Sequence, residues 1–597
     1  MSATKGGIVV FSGGSAANSL VDIFESIRKA QACPLSYIIP ISDNGGSTSE
    51  IIRVFGGPGI GDVRSRLVRL IPQQPYSRER EAISRILSYR LSSTDGREAR
   101  LDWADIVDGT SSLWKGVSSA KKELLRSFFN LLNLEILKRS RPPSSTFDFR
   151  SASIGNLFLT GARLFSGSFE SAIYLLSAIC GIPDDEVRVI PSINSNFSHH
   201  IAAELEDGST IVGQNSISHP VDAADVSGHG RPPTATPNGA LTPQGPRTQF
   251  EAHPPTTFLR LSQEEDSLDI TEEQEDAHPP FTLPTLRTSN IVFTKAPERA
   301  SQLPSRISRI YYVNSFGQEI LPPSNPRASQ AILHAQSIIY SIGSLYTSIA
   351  PNLVLRGIGD SLRRSRARVK ILILNGCLDR EVGPDTPSRP YTAFDFVNAI
   401  VKAGEQSRGV VWRAEDAVSS QSLQVAQINQ VETPLHPALV RSKSDGVPTR
   451  QTPASTSRIL PPPMPASAIP SRTATPSSSP ERSPAMPGTP QMQGRSANQA
   501  DPIYQHYVTH LVHLTNSIDR PYVDSDLLAR RCGIVCVSSA GQQSKTGPEM
   551  VYDVIGLQRV LASIIGQINE RPEHPILTAS GAMSVPQHRG RSQTVNH

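Results

Sequence analysis

The stretch Gly7-Ile-Val-Val-Phe-Ser-Gly-Gly-Ser15 is an apolar run that breaks at once into small residues. The same change occurs at Tyr37-Ile-Ile-Pro-Ile-Ser-Asp-Asn-Gly-Gly-Ser47, and the glycine-rich segment Gly56-Gly-Pro-Gly-Ile-Gly-Asp-Val-Arg64 follows it. Apolar runs of this kind, each followed by a helical pattern, are typical of a parallel α/β sheet that binds ligands at the carboxyl ends of its strands. Glycine at these ends lets backbone N–H groups approach phosphate oxygens. The sequence therefore predicts binding of a nucleotide or another phosphorylated ligand.

Strand and helix patterns alternate along most of the remaining chain. Ser337–Ile342 and Val369–Leu374 are apolar strand patterns with helical patterns around them. Near the end of the sequence we expect a helix at Tyr504–Leu514, a strand at Gly533–Val537 and a helix at Val554–Ile565. This alternation predicts an α/β fold with a doubly wound, mainly parallel sheet and helices on both faces.

The composition excludes several classes of protein. A formal net charge of +4 over 597 residues is almost neutral, so nothing argues for a nucleic-acid or anionic-membrane partner. The five cysteines are scattered, as is typical of a reducing compartment. No apolar run approaches the roughly 20 residues of a membrane span, and no signal peptide precedes the first strand. We therefore expect a cytoplasmic protein without nucleic-acid or membrane partners.

Two long segments differ in composition from the rest of the chain. Residues 218–289 and 419–500 are rich in proline, serine and threonine. Neither holds enough large apolar side chains to offset the conformational entropy lost on ordering. We predict that both segments are disordered insertions and that residues 580–597 are a tail. The α/β domain is then assembled from residues 1–217, 290–418 and 501–579.

Asp43 and Asp62 are acidic residues that stand among the glycines at strand or helix edges. Such a pair could hold Mg²⁺ through one or two carboxylates, with substrate phosphates completing the coordination shell. One of them could also take the proton from an attacking hydroxyl. The alternative for Asp62 is that it only caps the following helix. Both are therefore candidate catalytic and metal-binding residues.

The other candidate ligand contacts lie in loops of small residues. The first loop lacks the third glycine of a dinucleotide fingerprint and the lysine of a Walker motif, so a simple tight turn is an alternative. The cluster Ile342–Pro351 follows a strand and opens a helix, where hydroxyl and N–H groups could bind phosphate. The turn at Asn325 could equally be a helix start and nothing more. The candidates are Ser12, Gly13, Gly14, Ser15, Asn44, Gly45, Gly46, Ser47, Asn325, Gly343, Ser344, Tyr346, Thr347 and Ser348.

Together these motifs resemble the family of the 2-phospho-L-lactate transferase CofD and the gluconeogenesis factor YvcK. The matching segments are Gly13-Gly14, Ser42–Ser47, Gly59–Arg64, Gly155–Leu157, Ser324–Ala328, Gly343–Ile349, Pro351–Leu353 and Gly357–Ile358. The resemblance implies a modified Rossmann-like fold whose loops bind a nucleoside diphosphate derivative or a nucleotide-sugar. It also adds Asn156 to the candidate nucleotide contacts.

The resemblance implies two alternative functions. In the transferase branch, a guanosine-linked phospholactate donor loses its phospholactyl group to a hydroxyl of a deazaflavin, assisted by Mg²⁺. Carried onto this sequence, Asp43 and Asp62 become the metal or general-base pair. In the YvcK branch, similar loops bind UDP-sugars, and the role is a regulatory one in carbon metabolism. We expect a CofD-like transferase, with a non-enzymatic UDP-sugar-binding regulator as the alternative.

The chain departs from the family pattern in ways that bear on function. Asp43-Asn44 stands where the family often has two adjacent acids, which removes one negative charge from a metal site. The downstream loop reads Ser341-Ile342-Gly343, where Gly-Pro-Gly is more usual. Both changes weigh against a literal transfer of the deazaflavin substrate. The helical stretch Lys121–Lys138 leaves a homo-oligomer open, because it could bury a dimer face or equally pack on the sheet.

Overall fold

A computed structural model of the chain describes most of the predicted α/β domain. The described residues are 6–14, 16–42, 44–142, 146–218, 282–283, 286, 303–384, 386, 389–411, 500–515, 517, 521–544 and 550–570. The predicted insertions and tail lie outside them, apart from Ser218, residues 282–283 and 286, and Ala500. The candidate site residues Ser15 and Asp43 also lie outside the described residues.

One seven-stranded sheet organises the fold. The strands are β1 (Ile8–Phe11), β2 (Leu35–Ile39), β3 (Val187–Pro191), β4 (His200–Leu205), β5 (Thr210–Val212), β6 (Ile307–Val313), β7 (Glu319–Ile320), β8 (Ser337–Tyr340), β9 (Val369–Ile373), β10 (His510–Leu514), β11 (Val535–Ser539), β12 (Gly541–Gln543) and β13 (Met550–Tyr552). The large sheet has the order β11-β10-β9-β8-β1-β2-β3, and every neighbouring pair in it is parallel. In register, Ile8 lies opposite Leu35 on one side and Ser337 on the other. The predicted doubly wound, parallel sheet is confirmed.

Two smaller sheets are antiparallel. One has the order β5-β4-β6-β7, and the other is the hairpin of β12 and β13. Arg309 of β6 links its sheet across the strands, because its guanidinium donates to Glu204 of β4 (2.6 Å) and to Glu319 of β7 (2.7 Å). Opposite charges on neighbouring strands of this kind stabilise the pairing.

The ends of the helices follow local sequence signals. The helices are α1 (Val21–Gln31), α2 (Ser47–Phe55), α3 (Gly61–Arg69), α4 (Arg78–Ser88), α5 (Gly96–Asp108), α6 (Ser119–Arg139), α7 (Ile154–Ser166), α8 (Phe169–Cys180), α9 (Gln214–Ser218), α10 (Pro326–Leu333), α11 (Ala350–Leu353), α12 (Ile358–Arg364), α13 (Ala393–Gln406), α14 (Pro502–Gln505), α15 (Ser525–Leu527) and α16 (Val554–Glu570). Asp95 caps α5 and Ser168 caps α8, each by accepting a hydrogen bond from a backbone N–H of the first turn. Gly167 and Gly181 end α7 and α8 in the left-handed conformation that favours glycine.

The large sheet is buried between helices. None of the four residues of β1 is more than 1% exposed. A parallel strand that is covered on both faces needs a continuous apolar run, which is why the sequence of β1 does not alternate between apolar and polar residues. Helix α1 packs against α16, and α7 packs against both α6 and α8.

Helix α6 packs on the domain and also exposes apolar residues. It buries Leu125 and Phe129, whereas Leu134 and Leu137 are about half exposed. A homo-oligomer, which the sequence leaves open, is not tested by this packing. Neither α6 nor any other helix in the described part of the chain has both the length and the apolar character to span a bilayer.

The predicted helix at Tyr504–Leu514 is wrong. Only α14 is helical there, and β10 lies inside the sheet, paired with β9 and β11. Four residues of this segment are buried, and they happen to be spaced like one face of a helix: Tyr504, Tyr507, Val508 and Leu511. A strand with both faces covered carries no period of two, so its apolar pattern alone does not distinguish it from a helix.

Candidate functional site

The carboxyl ends of β1 and β8 lie side by side at the point where the strand order of the sheet reverses. The chain continues from β1 to β2 and β3 on one side of the sheet, and from β8 to β9, β10 and β11 on the other. Open α/β sheets bind ligands in the crevice at this switch point, because the connections leave the two strands in opposite directions. The loop after β1 holds Ser12, Gly13 and Gly14, and the loop after β8 holds residues 343–348. Two of the predicted phosphate loops therefore flank the switch point.

The loop after β1 is pressed against side chains from two other segments. A methyl group on Gly13 would come within 2.8 Å of Ser348 Cβ, and a methyl group on Gly14 would come within 2.9 Å of Asp62 Cα. Such distances are too short for a side chain, so glycine is required at both positions. Asp62 is the second residue of α3, and Ile60 occupies the N-cap position. The structure thus brings together Gly13, Gly14, Asp62 and Ser348.

Arg66 is a buried cation directly beneath this loop. Its guanidinium donates to the Ser12 hydroxyl (3.3 Å) and to the carbonyl oxygens of Gly13 (3.2 Å) and Ala17 (3.3 Å). It also lies 4.6 Å from the centre of the Tyr37 ring. Burial lowers the pKa of Arg66, yet arginine retains its proton in proteins. Arg66 therefore holds the loop and places a positive charge under it.

The sequence analysis did not single out Arg66. A signal for it was present, because Arg66 shares the buried face of α3 with Val63 and Leu67. A charged residue at an apolar position of a helix needs a specific reason to be there. In a weakly polar interior its charge is little screened, so it favours an anion bound at the loop above it.

The second predicted loop, before α2, is held by hydrogen bonds to other segments. Asn44 Oδ1 accepts from the backbone N–H of Asn215 (3.3 Å). Asn156 Nδ2 donates to the Ser47 hydroxyl (3.1 Å). All three side chains are nearly inaccessible to solvent. In this structure these side chains position the loop. Asp43, in the same loop, lies outside the described residues.

Gly45 and Gly46 connect this loop to α2. Gly46 has a φ of 54°, a left-handed value that favours glycine, although an added methyl group would meet nothing within 4 Å. The requirement for glycine here is therefore conformational rather than steric. The first turn of α2 begins directly after it, and N–H groups of a first helical turn favour an anion.

The loop after β8 is fixed by the segment that follows β9. The backbone N–H of Gly343 donates to Asn375 Oδ1 (2.9 Å), and Asn375 Nδ2 donates back to the Gly343 carbonyl (3.0 Å) and to Asp379 Oδ2 (2.7 Å). The Thr347 hydroxyl donates to Glu381 Oε1 (3.1 Å). Residues 345–349 form a turn of π-helix, a form that is frequent at functional sites.

Glu381 is a fully buried carboxyl group under this loop. Burial raises its pKa well above the ordinary range, and the neighbouring Asp379 raises it further. Hydrogen bonds from Ser344 and Thr347 act in the opposite direction but are weaker. Glu381 therefore favours its neutral form. Sequence analysis missed it, because burial of an acidic residue in a loop leaves no periodic pattern.

Two predicted contacts point away from the switch point. The side chain of Asn325 caps α10 through the N–H of Arg327 (2.9 Å) and donates to the Pro191 carbonyl (3.0 Å). The Tyr346 hydroxyl shares a hydrogen bond of 2.9 Å with the Tyr391 hydroxyl. In this arrangement both side chains support the loops, and neither is brought against Gly13 or Asp62.

The described part of the chain offers a limited set of metal ligands. It contains no group of three His, Cys, Asp or Glu side chains that could hold a metal ion. Asp62 supplies one carboxylate at the switch point. Mg²⁺ is commonly bound through one or two carboxylates, with water and substrate phosphates as the other ligands. The donor at Asp62 fits this pattern.

Known proteins are similar in sequence to this chain. The family model described as 2-phospho-L-lactate transferase CofD matches residues 8–452. An uncharacterized protein of Saccharomyces cerevisiae is 39% identical over 411 residues, which are 68% of this chain and 85% of the yeast protein. A protein of Aquifex aeolicus named "Putative gluconeogenesis factor" is 21% identical over 448 residues, which are 74% of this chain and 88% of that protein. A crystal structure of a Bacillus halodurans protein, 15% identical, covers 93% of this chain and 99% of its own, with a TM-score of 0.45.

Proposed function

The chain belongs to the CofD family, and on that premise we propose that it is a transferase acting on a nucleoside diphosphate derivative bound at the switch point. A phosphate-linked group passes from the nucleotide to the hydroxyl of an acceptor. The acceptor oxygen forms a bond to phosphorus, and the bond from phosphorus to the departing nucleoside monophosphate breaks. Mg²⁺ assists, and we take the cytoplasm as the compartment.

The observation that carries the proposal is the meeting of Gly13, Gly14, Asp62 and Ser348 between the ends of β1 and β8. Phosphoryl transfer is catalysed mainly by positioning the reactants and by stabilising negative charge, for which backbone N–H donors and nearby positive charges serve. Two glycines without side chains permit the close approach. Arg66, buried beneath the same loop, supplies positive charge.

Asp62 has two roles in this proposal. Its carboxylate accepts the proton of the acceptor hydroxyl as the new bond forms, together with or in place of Asp43. It is also the described residue that would hold Mg²⁺. When bound, the metal ion neutralises charge on the phosphate oxygens.

A second candidate function is a nucleotide-sugar-binding regulator without catalysis. The absence of a reaction from the names of the bacterial relatives supports it, since proteins of Aquifex aeolicus and Thermotoga maritima that align with 74% and 67% of this chain are both named "Putative gluconeogenesis factor". Such a protein needs the same phosphate loops but neither a general base nor Mg²⁺.

Thermal-shift titration of the full chain distinguishes the two. The ligands are GDP, GMP, UDP, UDP-glucose and UDP-N-acetylglucosamine, each with and without Mg²⁺. A ligand at a hundred times its dissociation constant adds about 2.7 kcal/mol to the free energy of unfolding. A guanine-selective, Mg²⁺-dependent shift supports the transferase, and a shift with UDP-sugars alone, indifferent to Mg²⁺, supports the regulator. No shift with any ligand contradicts both.

Variants connect the result to the switch point. Gly14→Ala inserts a methyl group against Asp62, so we expect nucleotide affinity to fall at least tenfold. Gly566→Ala in α16 is the matched control, because nothing lies within 4 Å of the added methyl group. Asp62→Asn is expected to abolish turnover and the Mg²⁺-dependent part of the shift, whereas Asp184→Asn, exposed at the opposite edge of the sheet, leaves both unchanged. Undiminished nucleotide affinity in Gly14→Ala would remove the loop after β1 from the site.

A further inference from the structure

A cavity lies between β6 and α13, next to the loop that follows β8. Its volume is about 460 Å³, within the range of small-molecule sites in proteins. Tyr346 contributes to its wall, while Ser348, two residues further on, contacts the Gly13 position. The cavity is thus separate from the switch point but shares a loop with it.

Arg306 places a buried positive charge in this cavity. The residue is only 6% exposed. Its guanidinium donates to the carbonyl oxygens of Pro384 (3.2 Å) and Arg389 and lies 5.0 Å from the centre of the Tyr391 ring. Among the described residues, no ion pair includes Arg306. A direct hydrogen bond from Arg389 lowers the pKa of Glu206, and the charge of Arg306 helps to lower it. A buried cation without a direct ion pair is costly, and a bound anion would offset that cost.

The other charged groups of the lining nearly cancel. Arg389 donates to both carboxylate oxygens of Glu206 (2.6 and 2.8 Å). Arg309 is neutralised by glutamates of β4 and β7, which do not line the cavity. Lys402 and Asp395 bring one charge of each sign. Counted over the lining residues alone, Arg306, Arg309, Arg389 and Lys402 are positive and Glu206 and Asp395 are negative, so positive charges are in excess.

The rest of the cavity is apolar or aromatic. Ala350 and Val354 of the helical segment after β8 are buried in its wall, as are the rings of Tyr346 and Tyr391. The two phenol groups share one hydrogen bond, and the Tyr346 hydroxyl also donates to the Ile307 carbonyl (3.5 Å). This wall suits the body of a ligand, whereas the guanidinium suits its charged end.

We propose that this cavity binds a small organic anion, with its carboxylate or phosphate group on Arg306 and an apolar or aromatic body against Tyr346, Ala350 and Val354. The site is distinct from the nucleotide site, and the proposal does not depend on the transferase activity. A ligand seated here contacts Tyr346, which belongs to the loop that also borders the switch point.

Calorimetric titration of the full chain with phenyl phosphate tests the proposal, because this probe combines an aromatic ring with a phosphate group. We expect it to bind at least tenfold more tightly than phenol or inorganic phosphate, each of which offers only one half of the recognition. Failure of phenyl phosphate to bind, or binding no tighter than inorganic phosphate, overturns the proposal.

Variants locate the bound probe. Arg306→Gln removes the charge, and Ala399→Phe, on the cavity-facing side of α13, fills the space. Each is expected to weaken phenyl phosphate binding at least tenfold, while Arg188→Gln, an exposed arginine of β3, has no effect. Circular dichroism verifies that each variant is folded. Unchanged affinity in both cavity variants, or loss of binding only in Gly14→Ala, would place the anion elsewhere and overturn the proposal.

Discussion

Buried ionisable residues support the loops of the candidate site, Arg66 as a cation and Glu381 as a carboxyl group that favours its neutral form. Arg66 holds the loop after β1 from below through three hydrogen bonds. Glu381 accepts a hydrogen bond from Thr347 under the loop after β8. A charged group removed from water is expensive unless it is paired, neutral or hydrogen-bonded. Their presence beside the loops indicates that these residues fix the shape and the potential of the site.

The protonation of Glu381 leads to a prediction about stability. Burial raises its pKa in the folded chain from the ordinary value of 4.5 to about 8, so between these two pH values the folded state binds more protons than the unfolded state. The free energy of unfolding therefore falls as the pH rises through this window. Glu381→Gln mimics the neutral carboxyl group and should avoid this loss. We expect the variant to match the wild type near pH 4.5 and to exceed its free energy of unfolding near pH 9 by up to about 5 kcal/mol, at about 1.4 kcal/mol per pKa unit.

Urea unfolding of both proteins at several pH values between 4.5 and 9 measures the difference. Glu123→Gln is the control, because Glu123 lies exposed on α6. Parallel pH profiles for wild type and Glu381→Gln would show that the carboxyl group is ionised in the folded chain.

At the scale of elements, two consecutive helices begin at serines that act differently. Ser168 accepts a hydrogen bond from the N–H of Ser171 (3.2 Å) at the start of α8. Ser153 occupies the same position before α7 but makes no capping bond. Its buried hydroxyl has no hydrogen-bond partner among the described residues. Identical residue types at equivalent positions therefore differ in the hydrogen bonds that they make.

These two helix starts provide a matched test. Ser168→Ala should lower the free energy of unfolding by about 1 kcal/mol, the usual cost of losing an N-cap. Ser153→Ala should change it by less than about 0.5 kcal/mol, or raise it, because a buried hydroxyl without a partner is removed. Chemical denaturation of both variants measures the difference. Equal losses in the two variants would contradict the capping geometry described for α7.

At the scale of the whole molecule, one sheet is built from segments that lie far apart in the sequence. Strands β1–β3 precede residue 218, β8 and β9 lie between residues 337 and 373, and β10 and β11 follow residue 509. The segments on either side of the second predicted insertion are in contact: the Tyr507 hydroxyl donates to Glu405 of α13 (2.5 Å). A long connection between neighbouring ends costs little closure entropy.

Excision of residues 427–497 tests this organisation. These residues fall outside the unit formed by residues 1–426 and 498–597. The excision shortens the connection to less than a quarter of its length. Each halving of a loop lowers its closure cost by about 0.6 kcal/mol, so we expect the free energy of unfolding to stay constant or to rise by about 1 kcal/mol. Thermal and urea unfolding give the stability, and the nucleotide titration gives the state of the site. A loss of more than about 2 kcal/mol, or of nucleotide binding, would mean that the excised segment contributes to the folded domain.

The sequence by itself determined the fold class and the loops of the candidate site. Apolar runs such as β1 and the glycines behind them follow from local requirements, namely strands buried on both faces and backbone that must approach a neighbour. These requirements leave a pattern in consecutive residues, so the parallel sheet and the loops after β1 and β8 could be predicted.

Only the tertiary structure decided which residues surround those loops. β10 is a strand because its partners lie more than a hundred residues away in β9 and beside it in β11, and its apolar pattern fits a helix equally well. Arg66 and Glu381 support the loops because folding buries them beneath the loops. Asn325 and Tyr346 hydrogen-bond to Pro191 and Tyr391, which lie far away in the sequence. Burial and pairing across the chain are long-range properties, and no local spacing of residues encodes them.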